Sequence, residues 1–274
     1  MPEGPEVAHT THWLNEMLSG QTLEKVQIID KDWSTKQLRN ESQAFLDALP
    51  LTIDSVECKG KFIYFTLGGG EWHIHHWLGM SGSWRKKTDW NCRMTFHTTN
   101  GNVIYRDPRK YGGFKFYQNK PELLTKKLEK DLGPDLLTSN ITLEDFTERL
   151  NGEHTRKGYG HRNITDVLMD QKAFAGIGNY LKAEILWKAQ VSPHRQVSSL
   201  TSDEIERIHD ASISIIAHAY ASKGHSFRDY QAGDGKGKFR CVVYGKKKDP
   251  DGNAVIIEDT PDGRATHWVP TVQK

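Results

Sequence analysis

The stretch MDQKAFAGIGNYLKAEILWKAQVSPH, residues 169–194, decides how the chain is read. Gly176 and Gly178 bracket Ile177 between two helical runs, Thr165–Gln171 and Gly178–Gln190. Glycines so placed let the backbone approach a ligand. Asn179 and Tyr180 then open a helix whose amides and dipole favour an anion. As a bare pattern, GIGN also suits a tight turn between helices. Around it lie further helical stretches: Leu123–Leu132, broken by Gly133-Pro134; Thr142–Leu150, with Glu144 and Asp145 in its first turn; and Ser202–Ser222.

Upstream the periodicity changes from helical to alternating. Residues 4–19 place Val7, Trp13, Leu14 and Met17 at helical spacing before Gly20 supplies a stop. Short β runs follow at Thr22–Ile29, Ser55–Glu57, Phe62–Leu67, Trp72–Trp77, Arg93–His97, Val103–Asp107 and Phe114–Tyr117, with Gly and Asn clustered between them. The pattern predicts an antiparallel sandwich over alternating βαβ units. The tail returns to β: Phe239–Tyr244 and Ala254–Asp259 flank the turn-rich KKKDPDGN, and Thr266–Pro270 comes after. The expected fold is α+β, with an N-terminal antiparallel β-sandwich and flanking helices over 1–135, a helical domain over 136–238 and a β-hairpin over 239–274.

Composition narrows the class. The chain has 274 residues, 36% hydrophobic and 26% charged, with a net charge of +2, so a disordered polyelectrolyte is excluded and a polyanion must be held by a local patch. Residues 225–248 carry seven Lys/Arg against two Asp, interleaved with Phe227, Tyr230, Phe239 and Tyr244, as a phosphate-tracking surface requires. No apolar run approaches the ~20 residues that span a bilayer. The start, MPEGPEVAHT, has no secretory signal, so an intracellular protein is expected. Three cysteines, Cys58, Cys92 and Cys241, make neither a disulfide framework nor a four-cysteine zinc site.

Pro2 gives the N-terminus its chemistry. A small second residue permits removal of Met1, leaving a secondary amine. An α-amino group titrates around 7.7–8.0, so a useful fraction is neutral and nucleophilic near neutral pH. Attack on a sugar C1′ would give an iminium, and Glu3 stands beside it as a candidate general acid. A Met-Pro start is common, however, and by itself most often means nothing.

Four ordered motifs change that reading. MPEGPEV at the start, HWLGMSGSW at 76–84, YRDPRKYGGF at 105–114 and the 169–194 stretch together resemble the formamidopyrimidine-DNA glycosylase/endonuclease VIII family of base-excision repair enzymes, over effectively the whole chain. The resemblance implies that Pro2 attacks C1′ of the damaged nucleotide and that Glu3 protonates the sugar ring oxygen, with Glu6 in the same opening helix. Lys61 in CKGKFIYF matches the family's active-site lysine, and Lys59 competes for that match. Met80, Arg109 and Tyr111 match the three-residue wedge that fills the gap left by the extruded base. Tyr111 stands where the family usually has Phe. Without the resemblance, Met80 would read as core filling and Tyr111 as a strand residue. Asn179 in GIGN matches the phosphate-holding element of a helix–two-turn–helix, while Lys157 and Arg162 both compete for a further phosphate contact.

Most relatives close with a four-cysteine zinc ribbon. This tail offers only Cys241 and His267, so it resembles the zincless finger of Nei-like members, and no metal is expected. Arg264 matches the finger arginine that reaches the phosphates; without the family it is a solvated turn arginine. The HIHH run at 73–76 alternates across a strand, which argues against a metal site.

The reading is a bifunctional DNA glycosylase and AP lyase that needs no cofactor. It would act on damaged DNA as a monomer, duplex or single-stranded substrate being left open. The short, glycine-rich 229–239 stretch leans toward oxidised pyrimidines and ring-opened or hydantoin lesions. The rivals are a catalytically inactive damaged-DNA binder of the same fold and a tautomerase-like use of the terminal proline as a base.

Overall fold

In a computed structural model, residues 1–153, 158–225 and 237–274 are described. They fall into two compact units, Met1–Glu129 with Lys223–Lys238, and Lys130–Ser222 with Phe239–Lys274. The tail therefore groups with the helices.

In the first unit, α1 (Gly4–Leu18) starts where the sequence says it should. Glu3 caps it, Pro5 sits in its first turn, and Glu6 Oε2 accepts the Glu3 backbone N–H at 2.8 Å, one arm of a capping box. The helix buries Val7, Leu14 and Leu18. After β1 (Thr22–Ile28) come α2 (Lys31–Gln37), β2 (Leu38–Asn40) and α3 (Ser42–Asp47), then β3 (Leu51–Lys59), β4 (Phe62–Leu67) and β5 (Trp72–Trp77). The unit continues through β6 (Ser83–Arg85), β7 (Cys92–Thr98), β8 (Gly101–Arg106) and β9 (Gly113–Gln118) to α4 (Pro121–Glu129).

The strands hydrogen-bond in the order β2-β9-β5-β4-β3-β1-β7-β8-β6. The two halves, joined at the β3–β1 pair, face each other as a sandwich. Phe65 of β4 lies 6.1 Å from Phe96 of β7, and Phe114 of β9 lies 5.1 Å from Tyr105 of β8. The pairing is not wholly antiparallel as expected: the three-residue edge strand β2, which follows α2 directly, runs parallel to β9.

The second unit holds α5 (Leu143–Asn151), α6 (Ile164–Met169), α7 (Asn179–Lys188) and α8 (Ser202–Ala221). Its hairpin is β10 (Ile256–Thr260) against β11 (Arg264–Trp268), registered from Ile256↔Trp268 to Thr260↔Arg264. This corrects the expected strand over Phe239–Tyr244. The amides of Val242, Val243 and Tyr244 donate instead to the Glu184 carboxylate, at 2.8, 3.0 and 2.8 Å. KKKDPDGN forms a side loop closed by the Lys248↔Ala254 bridge, with Asp249 Oδ1 accepting the amides of Asp251 and Asn253.

Candidate active site

The first functional residues gather at the start of α1. Pro2 and Glu3 are buried, and Glu6 is fully so. The N-terminal amine of Met1 is held below its ordinary value, by burial above all. Glu3 and Glu6 pull it up, while Arg109 and Lys61 push it down. Four side chains from three stretches of sequence thus bear on one amine. A partly desolvated amine beside two cations is neutral more often, and therefore more nucleophilic.

Lys61 and Lys59 part company here. Lys59 Nζ donates to the Leu128 carbonyl at 2.6 Å, tying β3 to the end of α4. Lys61 lies in the turn where Lys59 pairs with Phe62, one residue before β4 and not on the strand, and acts on the N-terminal amine.

Glu6 has a second contact. Its Oε1 accepts the His225 N–H at 2.7 Å. Gly224 has φ +74°, and a Cβ there would come within 2.6 Å of that same oxygen, so glycine is required. Glu6 therefore pins the 223–225 segment to the helix that carries Pro2 and Glu3.

The wedge candidates stand on one rim. Met80 is 41% and Tyr111 59% exposed, large values for such side chains. Arg109 Nη1 lies 3.7 Å from Met80 Sδ. Of the HIHH histidines, His76 serves the fold. His76 accepts Trp84 Nε1–H at 3.1 Å, which places its proton on Nδ1, 2.9 Å from the Gly113 carbonyl. It stacks on Phe114 at 3.9 Å, and burial lowers it to about 3, so it is a neutral core residue.

In the second unit, α7 organises the tail. Asn179 Nδ2 donates to the Ala265 carbonyl at 3.0 Å, next to Arg264. Lys182 Nζ pairs with Asp262 at 2.5 Å, both buried, in the turn that leads into Arg264. Glu184 holds the 242–244 amides as described above. Sequence reasoning missed Lys182 and Glu184. Their signal was two charges, two residues apart, within the apolar NYLKAEILW run. Arg162 is engaged locally, with Nη1 2.9 Å from Asp170 Oδ2 and its guanidinium 4.5 Å over the Tyr159 ring. Its competitor Lys157, the aromatics Phe227 and Tyr230, and most of 229–239 lie outside the described residues.

The tail's donor set does not fit zinc. Among the described residues no group of three or more His, Cys, Asp or Glu is placed to hold a metal ion, and Cys241 and His267 alone are too few. Ala183, Val243 and Val269 form a small core there, with Trp187, Val255 and Val272 packed against it.

Comparison with known proteins matches this layout segment by segment. Residues 1–114 match the formamidopyrimidine-DNA glycosylase N-terminal domain, 132–231 its H2TH domain and 234–274 its C-terminal domain. The chain is 31% identical over 285 residues to a formamidopyrimidine-DNA glycosylase of Bacillus cereus, covering 100% of this chain and 99% of the relative. To the Listeria innocua protein of the same name it is 33% identical, with both chains covered completely. Among solved structures, the MutM (Fpg) protein from Thermus thermophilus superposes with a TM-score of 0.84 at 29% identity, covering 99% of this chain and 98% of that one. A Lactococcus lactis Fpg mutant complexed with Fapy-dG-containing DNA superposes at 0.87 with 26% identity and complete coverage of both chains. With three domain models matched in order and relatives aligned end to end, the chain belongs to the formamidopyrimidine-DNA glycosylase family of DNA-repair enzymes.

Proposed function

We propose that this enzyme excises oxidised bases and then cuts the DNA strand, using Pro2 as its nucleophile once Met1 is removed. The observation that carries the reading is the burial of Pro2, Glu3 and Glu6 together at the start of α1, where Glu3, Glu6, Lys61 and Arg109 all bear on the adjoining Met1 amine. Pro2 nitrogen attacks C1′ and the glycosidic bond breaks, the base leaving with the bonding pair and taking up the proton that the amine gives up. Glu3 delivers its proton to the ring oxygen as the C1′–O bond opens, and an iminium joins Pro2 to C1′. The iminium acidifies the C2′ proton. Its loss expels the 3′ phosphate, and a second elimination expels the 5′ phosphate. Lys61 neutralises phosphate charge beside the amine.

Met80, Arg109 and Tyr111 enter the duplex as the damaged nucleotide leaves it, offsetting part of an extrusion that costs a few kcal/mol. Asn179 and Arg264, joined through the Ala265 carbonyl, grip the backbone phosphates, and the finger holds without metal. The 229–239 composition favours oxidised pyrimidines and ring-opened or hydantoin lesions, and the enzyme works as a monomer. Borohydride tests the reading: it should trap a covalent enzyme–DNA complex, and an N-terminal extension that blocks Met1 removal should abolish trapping. Robust trapping by the blocked protein removes Pro2 from the mechanism.

A further inference from the structure

Two loops carry the exposed rim, and the buried polar groups beneath them form one lattice. Asp107 is fully buried. Its Oδ1 accepts the Ser81 hydroxyl at 2.6 Å and its Oδ2 accepts the Gly112 amide at 2.8 Å. The same Ser81 oxygen accepts the Arg109 amide at 3.0 Å. Ser81, one residue after Met80, is thus bonded to Asp107 and Arg109, and Asp107 in turn closes the segment that presents Arg109 and Tyr111 at Gly112. The backbones touch as well: a Cβ on Gly79 would lie 2.7 Å from the Gly112 nitrogen.

The second loop is further held from behind. Three successive carbonyls each accept a side-chain N–H: Lys110 from Gln37 at 3.0 Å, Tyr111 from Trp77 at 3.0 Å and Gly112 from Trp33 at 3.2 Å. A surface loop normally leaves its carbonyls to water. Here the backbone is fixed while Arg109 and Tyr111 project from it, an arrangement suited to inserting them at little further loss of freedom.

We infer that Ser81 and Asp107 are positioning residues that lock the 78–82 and 107–112 loops into a single wedge, so that Met80, Arg109 and Tyr111 enter the helix as one body. The inference rests on the wedge reading given above. Neither residue touches the reacting atoms. Their effect falls on the step that needs a wedge, extrusion from a duplex, and spares a single-stranded abasic site, where nothing has to be unstacked.

The test compares Ser81→Ala, Asp107→Asn and Tyr111→Ala on two substrates: a duplex carrying an oxidised pyrimidine and a single-stranded abasic oligonucleotide. Ser81→Ala removes a hydrogen bond to a charged group, so kcat/KM on the duplex should fall by about tenfold or more. Cleavage of the single strand should be unchanged. Asp107→Asn should show the same selectivity, and if its melting curve shows a failure to fold, Ser81→Ala carries the test alone. Equal effects of Ser81→Ala on both substrates, or none on either, while Tyr111→Ala stays duplex-selective, overturn the inference and leave the wedge reading standing. A Tyr111→Ala enzyme without duplex selectivity overturns the wedge reading itself.

Discussion

Glu3 and Glu6 lie three residues apart on one buried turn and do different work. Glu6 is bonded through both oxygens to backbone amides, those of Glu3 and His225, so its role is to hold the site together. Glu3 stands next to Pro2, the proposed nucleophile. Glu3→Gln keeps the shape but has no proton to give. Base excision should fall by about 10²–10⁴, the usual contribution of general acid–base catalysis, while cleavage of a preformed abasic site, whose sugar already opens to an aldehyde, is spared. Glu6→Gln should lower both activities together, because its amide nitrogen cannot accept one of the two N–H groups. Parallel assays on lesion and abasic duplexes check both variants, and a Glu3→Gln enzyme equally slow on each assigns Glu3 a shared structural role. At this scale the sequence was informative where residues lie close together in a motif, as Pro2, Glu3 and Glu6 do. It favoured Lys61 over Lys59 through the aromatic and β-branched residues that follow, and could not show the Lys59 bond to the Leu128 carbonyl, 69 residues away.

Elements repeat the pattern. The long helices and most strands announce themselves by period, whereas α2 does not. KDWSTKQ is too short to show an apolar stripe, and its one clear mark is the Asp30 cap, which accepts the Trp33 amide at 2.9 Å. That unpredicted helix supplies Trp33 and Gln37 to the wedge. Phe239–Tyr244 fails in the opposite sense. Its valines and aromatics favour a strand, but a buried carboxylate on α7 takes the amides a ladder would need, and tertiary context overrides propensity. The finger then depends on α7 through Glu184, Asn179 and the Lys182–Asp262 pair. Lys182→Met strands Asp262 in a buried place, and breaking a pair of this kind costs about 3–5 kcal/mol. We expect a lower melting temperature and weaker binding of lesion DNA. Lys182→Met with Asp262→Leu should restore most of the stability, since an apolar replacement of a buried pair is often neutral. Chelator should leave excision unchanged in the unmodified enzyme. Stoichiometric zinc by elemental analysis, or a Lys182→Met protein as stable as the original, contradicts this account of the tail.

For the molecule as a whole, the buried histidines set the acid limit. His76 sits at about 3 and His75 at about 4 because burial disfavours their charged forms, while in the unfolded chain both return to about 6.5. A base whose folded value is depressed contributes its full stability above the unfolded value and loses it as pH falls toward the folded one. The window is therefore from about 6.5 down to about 3, with a slope of up to about 1.4 kcal/mol per pH unit for each group. Asp30, Asp89, Asp170 and Glu204 are held below their ordinary values by Lys and Arg partners and backbone amides, against the opposing effect of burial. Their stabilisation is lost only as pH falls below about 4, so the two sets act in separable ranges. Denaturant unfolding between pH 7 and 4.5 should show stability falling with proton uptake by His75 and His76, and by His73 and His267, which burial also lowers, before the carboxylates contribute. His76→Gln should be less stable at pH 7, having lost its stack on Phe114, yet respond more weakly to pH across that range. A stability independent of pH from 6.5 to 4.5 would mean that the folded sandwich accepts the proton on His76. That cannot be reconciled with an Nε2 already taken by the Trp84 indole and an Nδ1–H already given to the Gly113 carbonyl, in the core of the unit that carries Pro2 and Glu3.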